Sequence, residues 1–307
     1  MKKHFGWALA SAMLVGSIGS AYAADMPLKA PPPVVPVFSW AGWYAGLNAG
    51  GVWGDTTPGL SIDPSGNYFT FGAGQPANIA AVQAAGSNRY STDGFTGGGQ
   101  VGYNWQVRDV VFGAEADFEY FNPRGSSTVL GTLPALAGQT CANSGGGCAF
   151  AITNSSEGRW LSTLRARFGI ARDHWLFYGT AGLAVARLNF AATYADTTTA
   201  PPQDSAALRS NFSVSQDRVG YAAGVGGEYA FNSNWSIRAE YLYLNFDHGP
   251  SGSTVAMPTT GVIPAPGTCP PSGAGFCQRF NYSSQFDEHV ARVAINYHFY
   301  RPVVAKY

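Results

Sequence analysis

Eight stretches of this chain alternate apolar and polar residues with a period of two, and the gaps between them are alternately long and short. A period of two is the repeat of a β-strand, whose successive side chains point to opposite faces. Segment 41–54 sets Trp43, Ala45, Leu47, Ala49 and Trp53 against Tyr44, Asn48 and several glycines. Segment 94–107 sets Phe95, Val101, Tyr103, Trp105 and Val107 against Thr96, Gln100, Asn104 and Gln106. In 110–121, Phe112, Ala114, Ala116, Phe118 and Tyr120 oppose Glu115, Asp117 and Glu119, and in 158–171, Trp160, Leu164, Phe168 and Ile170 oppose Arg159, Thr163, Arg165 and Arg167. Segment 175–190 is almost wholly apolar, and a register that turns Phe177, Leu183 and Val185 outward turns Arg187 outward as well. In 214–231, 235–246 and 285–299, apolar faces carrying Val219, Tyr221, Val225, Ile237, Tyr241, Val293 and Ile295 oppose Arg218, Glu228, Arg238, Glu240, Arg292, Asn296 and His298.

The connections set the topology. Those spanning 55–92, 122–156, 196–213 and 249–283 are long, whereas Arg108-Asp109, Asp173-His174 and Asn232-Ser233-Asn234 are short and carry hairpin-turn residues. Four long loops in strict alternation with tight turns do not suit a compact soluble domain; a membrane barrel gathers its tight turns at the periplasmic end and its long loops outside. The fold expected is all-β, an eight-stranded antiparallel up-and-down transmembrane β-barrel over residues 39–300. Only 12% of residues are charged and 39 are glycine, which suits closely packed strands facing lipid.

Residues 1–23 have a basic start, an apolar run from Trp7 to Ile18 and a small-x-small site at Ala21-Tyr22-Ala23, the pattern of a signal peptide. Residues 24–38, rich in proline, read as a periplasmic linker, and 301–307 as a C-terminal tail. Both termini are then periplasmic. Without Lys2 and Lys3, the 18 basic residues fall to 16 against 18 acidic, so the mature chain has no basic excess for nucleic acid. Cys141 and Cys148, and Cys269 and Cys277, form two close pairs in an exported chain, so two disulfides are expected; the spacings favour pairing within each segment, although four cysteines allow three connectivities.

Ten inward charges stand out: Glu115, Asp117, Glu119, Glu228 and Glu240 against Arg165, Arg167, Arg218, Arg238 and Arg292. Buried charges need partners, so matched signs on adjacent strands imply a self-neutralising structural network. A Glu115–Asp117 catalytic dyad is the alternative, but the arginines account for all the acids at once. Trp43, Trp105, Trp175 and Trp235 fall beside the short turns or the start of the first strand, and Trp53 and Trp160 at the opposite ends, as two aromatic girdles would. No metal-ligand or catalytic spacing is present, no cofactor is implied, and no histidine has a serine two residues later as in one group of lipid-modifying barrels. Side chains just fill an eight-stranded lumen, whereas an aqueous pore usually takes about 16 to 18 strands.

Three motifs together resemble a known family. Trp40-Ala41-Gly42-Trp43-Tyr44-Ala45-Gly46-Leu47-Asn48-Ala49-Gly50-Gly51, the pair Gly224-Val225-Gly226-Gly227-Glu228-Tyr229-Ala230 and Glu240-Tyr241-Leu242-Tyr243, and Val293-Ala294-Ile295-Asn296-Tyr297-His298-Phe299 are similar to the small outer-membrane β-barrel surface antigens of alphaproteobacteria, relatives of the opacity and OmpA-like barrels. The resemblance covers nearly all of 39–299. It implies a porin-like, abundant component of the Gram-negative outer membrane that contributes to envelope integrity, with loops that serve as antigen or adhesion surface. It also implies Phe299 as the aromatic end signal for the barrel-assembly machinery, although 300–307 follow it. The partners expected are outer-membrane lipid and lipopolysaccharide, that machinery, and a host or surface ligand at the loops. A small-solute channel is the alternative function.

Overall fold

The computed structural model describes residues 38–64, 75–133, 140–141, 148–196, 198–199, 208–258 and 277–299. The signal peptide, the linker up to residue 37 and the tail lie outside them.

The elements in chain order are β1 (Gly42–Ile62), α1 (Gln75–Gly86), β2 (Tyr90–Val107), β3 (Val110–Leu133), β4 (Thr140–Cys141), β5 (Cys148–Arg172), β6 (Trp175–Asp196), β7 (Thr198–Thr199), β8 (Leu208–Ala230), β9 (Trp235–Phe246), β10 (Gly252–Pro258) and β11 (Gln278–His298). Antiparallel pairing runs β1-β2-β3-β5-β6-β8-β9-β11 and returns to β1, closing a ring with no free edge. A ninth strand, β10, runs in the same direction as β9 and takes its place between β8 and β11 beyond Phe246. β9 and β10 are therefore two halves of one stave, broken at 247–251, and the ring has the eight staves expected. β4 and β7 make a separate two-stranded ladder.

The turns explain the short connections. Arg108 and Asp173, each the first residue of a two-residue turn, hold left-handed backbone at φ 55° and 53°. In the third, Asn232 Oδ1 accepts the amides of Asn234 and Trp235 at 2.9 and 2.8 Å, an Asx turn that reverses the chain.

The staves outrun the expected strands. Residues 55–62, 122–133, 148–156, 208–213 and 278–283, within the long connections expected, continue the ladders, as do 157, 191–195 and 284, which fell between an expected segment and its connection. Their period of two persists: Leu60, Ile62, Phe150, Ile152, Tyr194, Phe212, Phe280 and Tyr282 all bury inward. Helix α1, also within an expected loop, packs Val82 and Ala85 into this apolar layer, and Asn154 Nδ2 donates to the carbonyl of Gly86 at 3.0 Å.

The lumen is thus layered along its axis. Near the tight turns Trp40, Val111, Leu176 and Tyr178 form an apolar floor. A charged shell follows, then a second apolar layer around Phe121, Leu161, Leu242, Phe246 and Phe286, and finally the layer that α1 joins. Apolar bands therefore alternate with polar ones inside the barrel. The outer wall carries the apolar face expected, with Phe118, Leu164, Phe168, Leu183, Val219 and Val225 all exposed.

Candidate functional site

The charged shell is the most concentrated chemistry among the described residues. Glu115, Asp117 and Glu119 share the inward face of β3, and β5 presents Arg165 directly across from Glu115. Arg165 Nη2 reaches Glu115 Oε1 at 2.6 Å and Asp117 Oδ2 at 2.9 Å, and Arg165 Nη1 lies 3.3 Å from Glu240. Arg238 Nη1 meets Glu115 Oε2 at 2.5 Å. Arg167 spans to Glu228 at 2.9 Å, and Arg292 joins Glu240 at 2.5 Å, Asp117 at 3.1 Å and Glu119. These nine side chains are withdrawn from solvent, and links such as Arg292 to Asp117 bridge staves that are not neighbours in the ring. Every carboxylate of the shell is held by at least one guanidinium.

Two tyrosines extend this network. Tyr44 Oη donates to Glu115 at 2.5 Å and accepts from Arg167 at 2.6 Å, while Tyr178 Oη donates to Glu240 at 2.8 Å and its ring lies 3.9 Å beneath the Arg167 guanidinium. Each tyrosine stands cross-strand from a glycine, Tyr44 from Gly102 and Tyr178 from Gly226. A Cβ at Gly102 would meet the Tyr44 hydroxyl at 2.3 Å, and one at Gly226 the Tyr178 hydroxyl at 2.4 Å. The glycines are the space in which the rings lie flat against the wall. Sequence reading turned Tyr44 inward but did not give it a role; the signal for one is an inward Tyr facing an inward Gly, which needs the register to be seen.

Arg218 departs from the network expected. It shares the inward face of β8 with Glu228 but stands ten residues away, about 33 Å along a strand. There it bonds Gln216 and the Ser251 hydroxyl at the break between β9 and β10. Face parity gives direction, not depth. The shell therefore holds five carboxylates and four guanidiniums, with His298 Nε2 3.4 Å from Glu228. Arg159, expected inward, points outward because a register shift between Gly158 and Trp160 reverses the parity upstream of Trp160, where Ser156 and Gly158 face inward, while Leu161, Thr163 and Arg165 keep the inward face beyond it. Glu288 was not singled out at all. It is fully buried and accepts only from Thr92, at 2.8 Å.

A closed antiparallel ring with apolar side chains outside and matched charges within is the arrangement a bilayer demands of strands. The sequence matches the family model described as outer membrane protein beta-barrel domain over residues 11–299. This chain belongs to the outer-membrane β-barrel protein family. It is 34% identical to the 31 kDa outer-membrane immunogenic protein of Brucella melitensis over 74% of this chain and 81% of that one. It is 28% identical to a 22 kDa outer membrane protein of Rhizobium leguminosarum, over 60% of this chain and 67% of that one. Among solved structures it is similar to OprG of Pseudomonas aeruginosa, at 11% identity with a TM-score of 0.34, over 84% of this chain and 97% of the other.

The wall of the outer-membrane barrel carries aromatic rings at two heights. Beside the tight turns Trp43, Tyr103, Trp105 and Phe112 touch in series at 4.6 to 5.5 Å between centroids, and Trp235, Tyr297 and Phe299 continue the belt at 5.1 and 5.2 Å. Trp175 stands 4.7 Å from Tyr229 at the same end. At the other height Trp53 lies against His289 and Trp160 stacks on Phe118 at 5.9 Å. His289 belongs to this second belt through Tyr241, whose Oη is 2.7 Å from its Nδ1. Phe299 is exposed on the wall with its amide bonded to the Trp43 carbonyl at 2.9 Å. Cys148 and Cys277 each take part in a disulfide. Cys269 lies outside the described residues, as does the side chain of Cys141.

Proposed function

We propose that this protein is a structural barrel of the outer membrane that contributes to envelope integrity, with the tight turns in the periplasm and the long staves rising from the cell as antigen or adhesion surface. One observation carries the reading: the lumen is crossed by a buried ion-pair network whose members are committed to one another. A wall held rigid from inside by its own ion pairs suits a scaffold better than an enzyme. The name of the Brucella relatives, immunogenic outer-membrane proteins, supports the surface role. The apolar layer closed by α1 above the charged shell speaks against the small-solute channel.

The test is a deletion strain complemented with the wild-type chain. Increased sensitivity to detergents and large antibiotics, restored on complementation, is expected, and unchanged sensitivity would overturn the integrity role. Purified barrel in planar bilayers should give no steady conductance; regular unitary steps would favour the channel.

A further inference from the structure

Outside the lumen, three arginines gather on the outer wall just past the second aromatic belt. Arg124 on β3, Arg159 on β5 and Arg187 on β6 have side chains 63%, 60% and 44% exposed. Two local irregularities help to assemble them. The β3–β5 register shifts between Tyr120 and Arg124, and the shift between Gly158 and Trp160 turns Arg159 out; Arg187 then stands directly across from Trp160. The three border an open groove of about 990 Å³ between β3 and β8, which Ser126, Ser155, Asn189, Ser213 and Ser215 also line.

The charges in the groove do not cancel. Glu157 serves both Arg124, at 2.8 Å, and Arg159, at 3.6 Å, and Asp217 takes Arg187 at 3.2 Å. Arg124 forms its ion pair with Glu157 and not with Asp93, its cross-strand neighbour on β2. Three guanidiniums against two carboxylates leave one positive charge, and each guanidinium has five N–H donors, most of them uncommitted. Height selects the occupant. An arginine facing lipid is costly at the bilayer midplane and nearly free near the interface, so this cluster marks the headgroup level. Guanidiniums pair with phosphate in bidentate geometry, and hydroxyls and an amide beside them suit sugar hydroxyls.

We propose that this groove holds the phosphorylated sugar headgroup of a glycolipid in the outer leaflet. The proposal rests on the orientation given above, with the long staves outside the cell. It is tested on the full-length chain in micelles by measuring binding of bisphosphorylated lipid A, lipid A stripped of phosphate, and inorganic phosphate. Phosphate removal should weaken lipid A binding about tenfold or more, and the triple variant Arg124→Gln, Arg159→Gln, Arg187→Gln up to about a thousandfold, each lost charged contact being worth roughly a factor of ten. Heat-modifiable mobility on gels checks that the triple variant folds, and Arg187→Gln alone should weaken binding measurably if it does not. Equal binding by variant and wild type, equal binding of the stripped lipid, or displacement by inorganic phosphate at lipid concentrations would overturn the site. Orientation is read separately from Ser213→Cys in whole cells with an impermeant thiol reagent. Labelling supports the outward groove, whereas labelling only after the outer membrane is opened overturns the orientation and the proposal with it.

Discussion

Glu115 and Arg165 face each other across the β3–β5 ladder, and their side chains meet at 2.6 Å in the middle of the barrel with neither exposed. Glu115 also holds Arg238 at 2.5 Å and the Tyr44 hydroxyl at 2.5 Å, so it is the acid on which the shell converges. Removing one partner of a buried pair leaves an uncompensated charge and costs about 3 to 5 kcal/mol. Glu115→Ala should therefore lower the urea midpoint of the lipid-reconstituted barrel by that equivalent. Arg187→Ala, which breaks an exposed pair with Asp217, should change it by less than about 1 kcal/mol. Equal effects from the two would show that the shell does not hold the barrel together.

Glu288 inverts this logic. It is as buried as Glu115, yet no cation pairs with it among the described residues, and its Oε2 has no hydrogen-bond partner. An isolated carboxylate in this setting is a destabilising feature that an amide of the same shape relieves. Glu288→Gln keeps the acceptor for Thr92 and should raise the urea midpoint by an equivalent of about 1 to 2 kcal/mol. A loss of stability in this variant would mean that Glu288 has a partner of opposite charge.

The contrast between these two acids shows how much the sequence told. Eight alternating segments were enough for the ring, for the tight turns and for the direction of nearly every side chain in the membrane zone, because period two is a local property. Depth is not local. Arg218 and Glu228 share a face but lie ten residues apart on one strand, and which partners stand at each depth comes from the pairing register. The turned-out Arg159 depends on a one-residue irregularity that no alternation count detects. The upper staves and α1 were hidden by composition: Ser, Thr and Gly look like loop, but the inward Phe150, Ile152, Phe280 and Tyr282 keep the strand period through them.

Gly226 offers a test of the tyrosine packing. A side chain there collides with the Tyr178 hydroxyl, and shifting Tyr178 breaks its bond to Glu240 and its contact with Arg167. Gly226→Val should lower stability by about 2 to 3 kcal/mol, combining overpacking with a lost charge-assisted bond. Adding Tyr178→Ala should restore part of the loss, because it removes the group that Val would strike. If the double variant is simply the sum of the two single losses, the two sites are uncoupled and the glycine is not a seat for the ring.

Two phenols in the staves beyond the second belt make stability depend on alkaline pH. Burial pushes Tyr90 and Tyr282 up to about 12, from an ordinary value near 10. The folded state keeps both protons between those limits while the unfolded chain releases them, so stability is level below pH 10 and falls as pH rises toward 12. Two pH units correspond to about 2 to 3 kcal/mol for each phenol. The urea midpoint should drop between pH 10 and 12, with tyrosinate absorbance rising as the chain unfolds. The Tyr90 hydroxyl has only Ser156 and Thr56 beside it and that of Tyr282 only Ser210, in contacts short of good hydrogen-bond geometry, so Tyr90→Phe with Tyr282→Phe should cost little at pH 8 and flatten the alkaline fall. An undiminished fall in that double variant would place the titrating groups elsewhere.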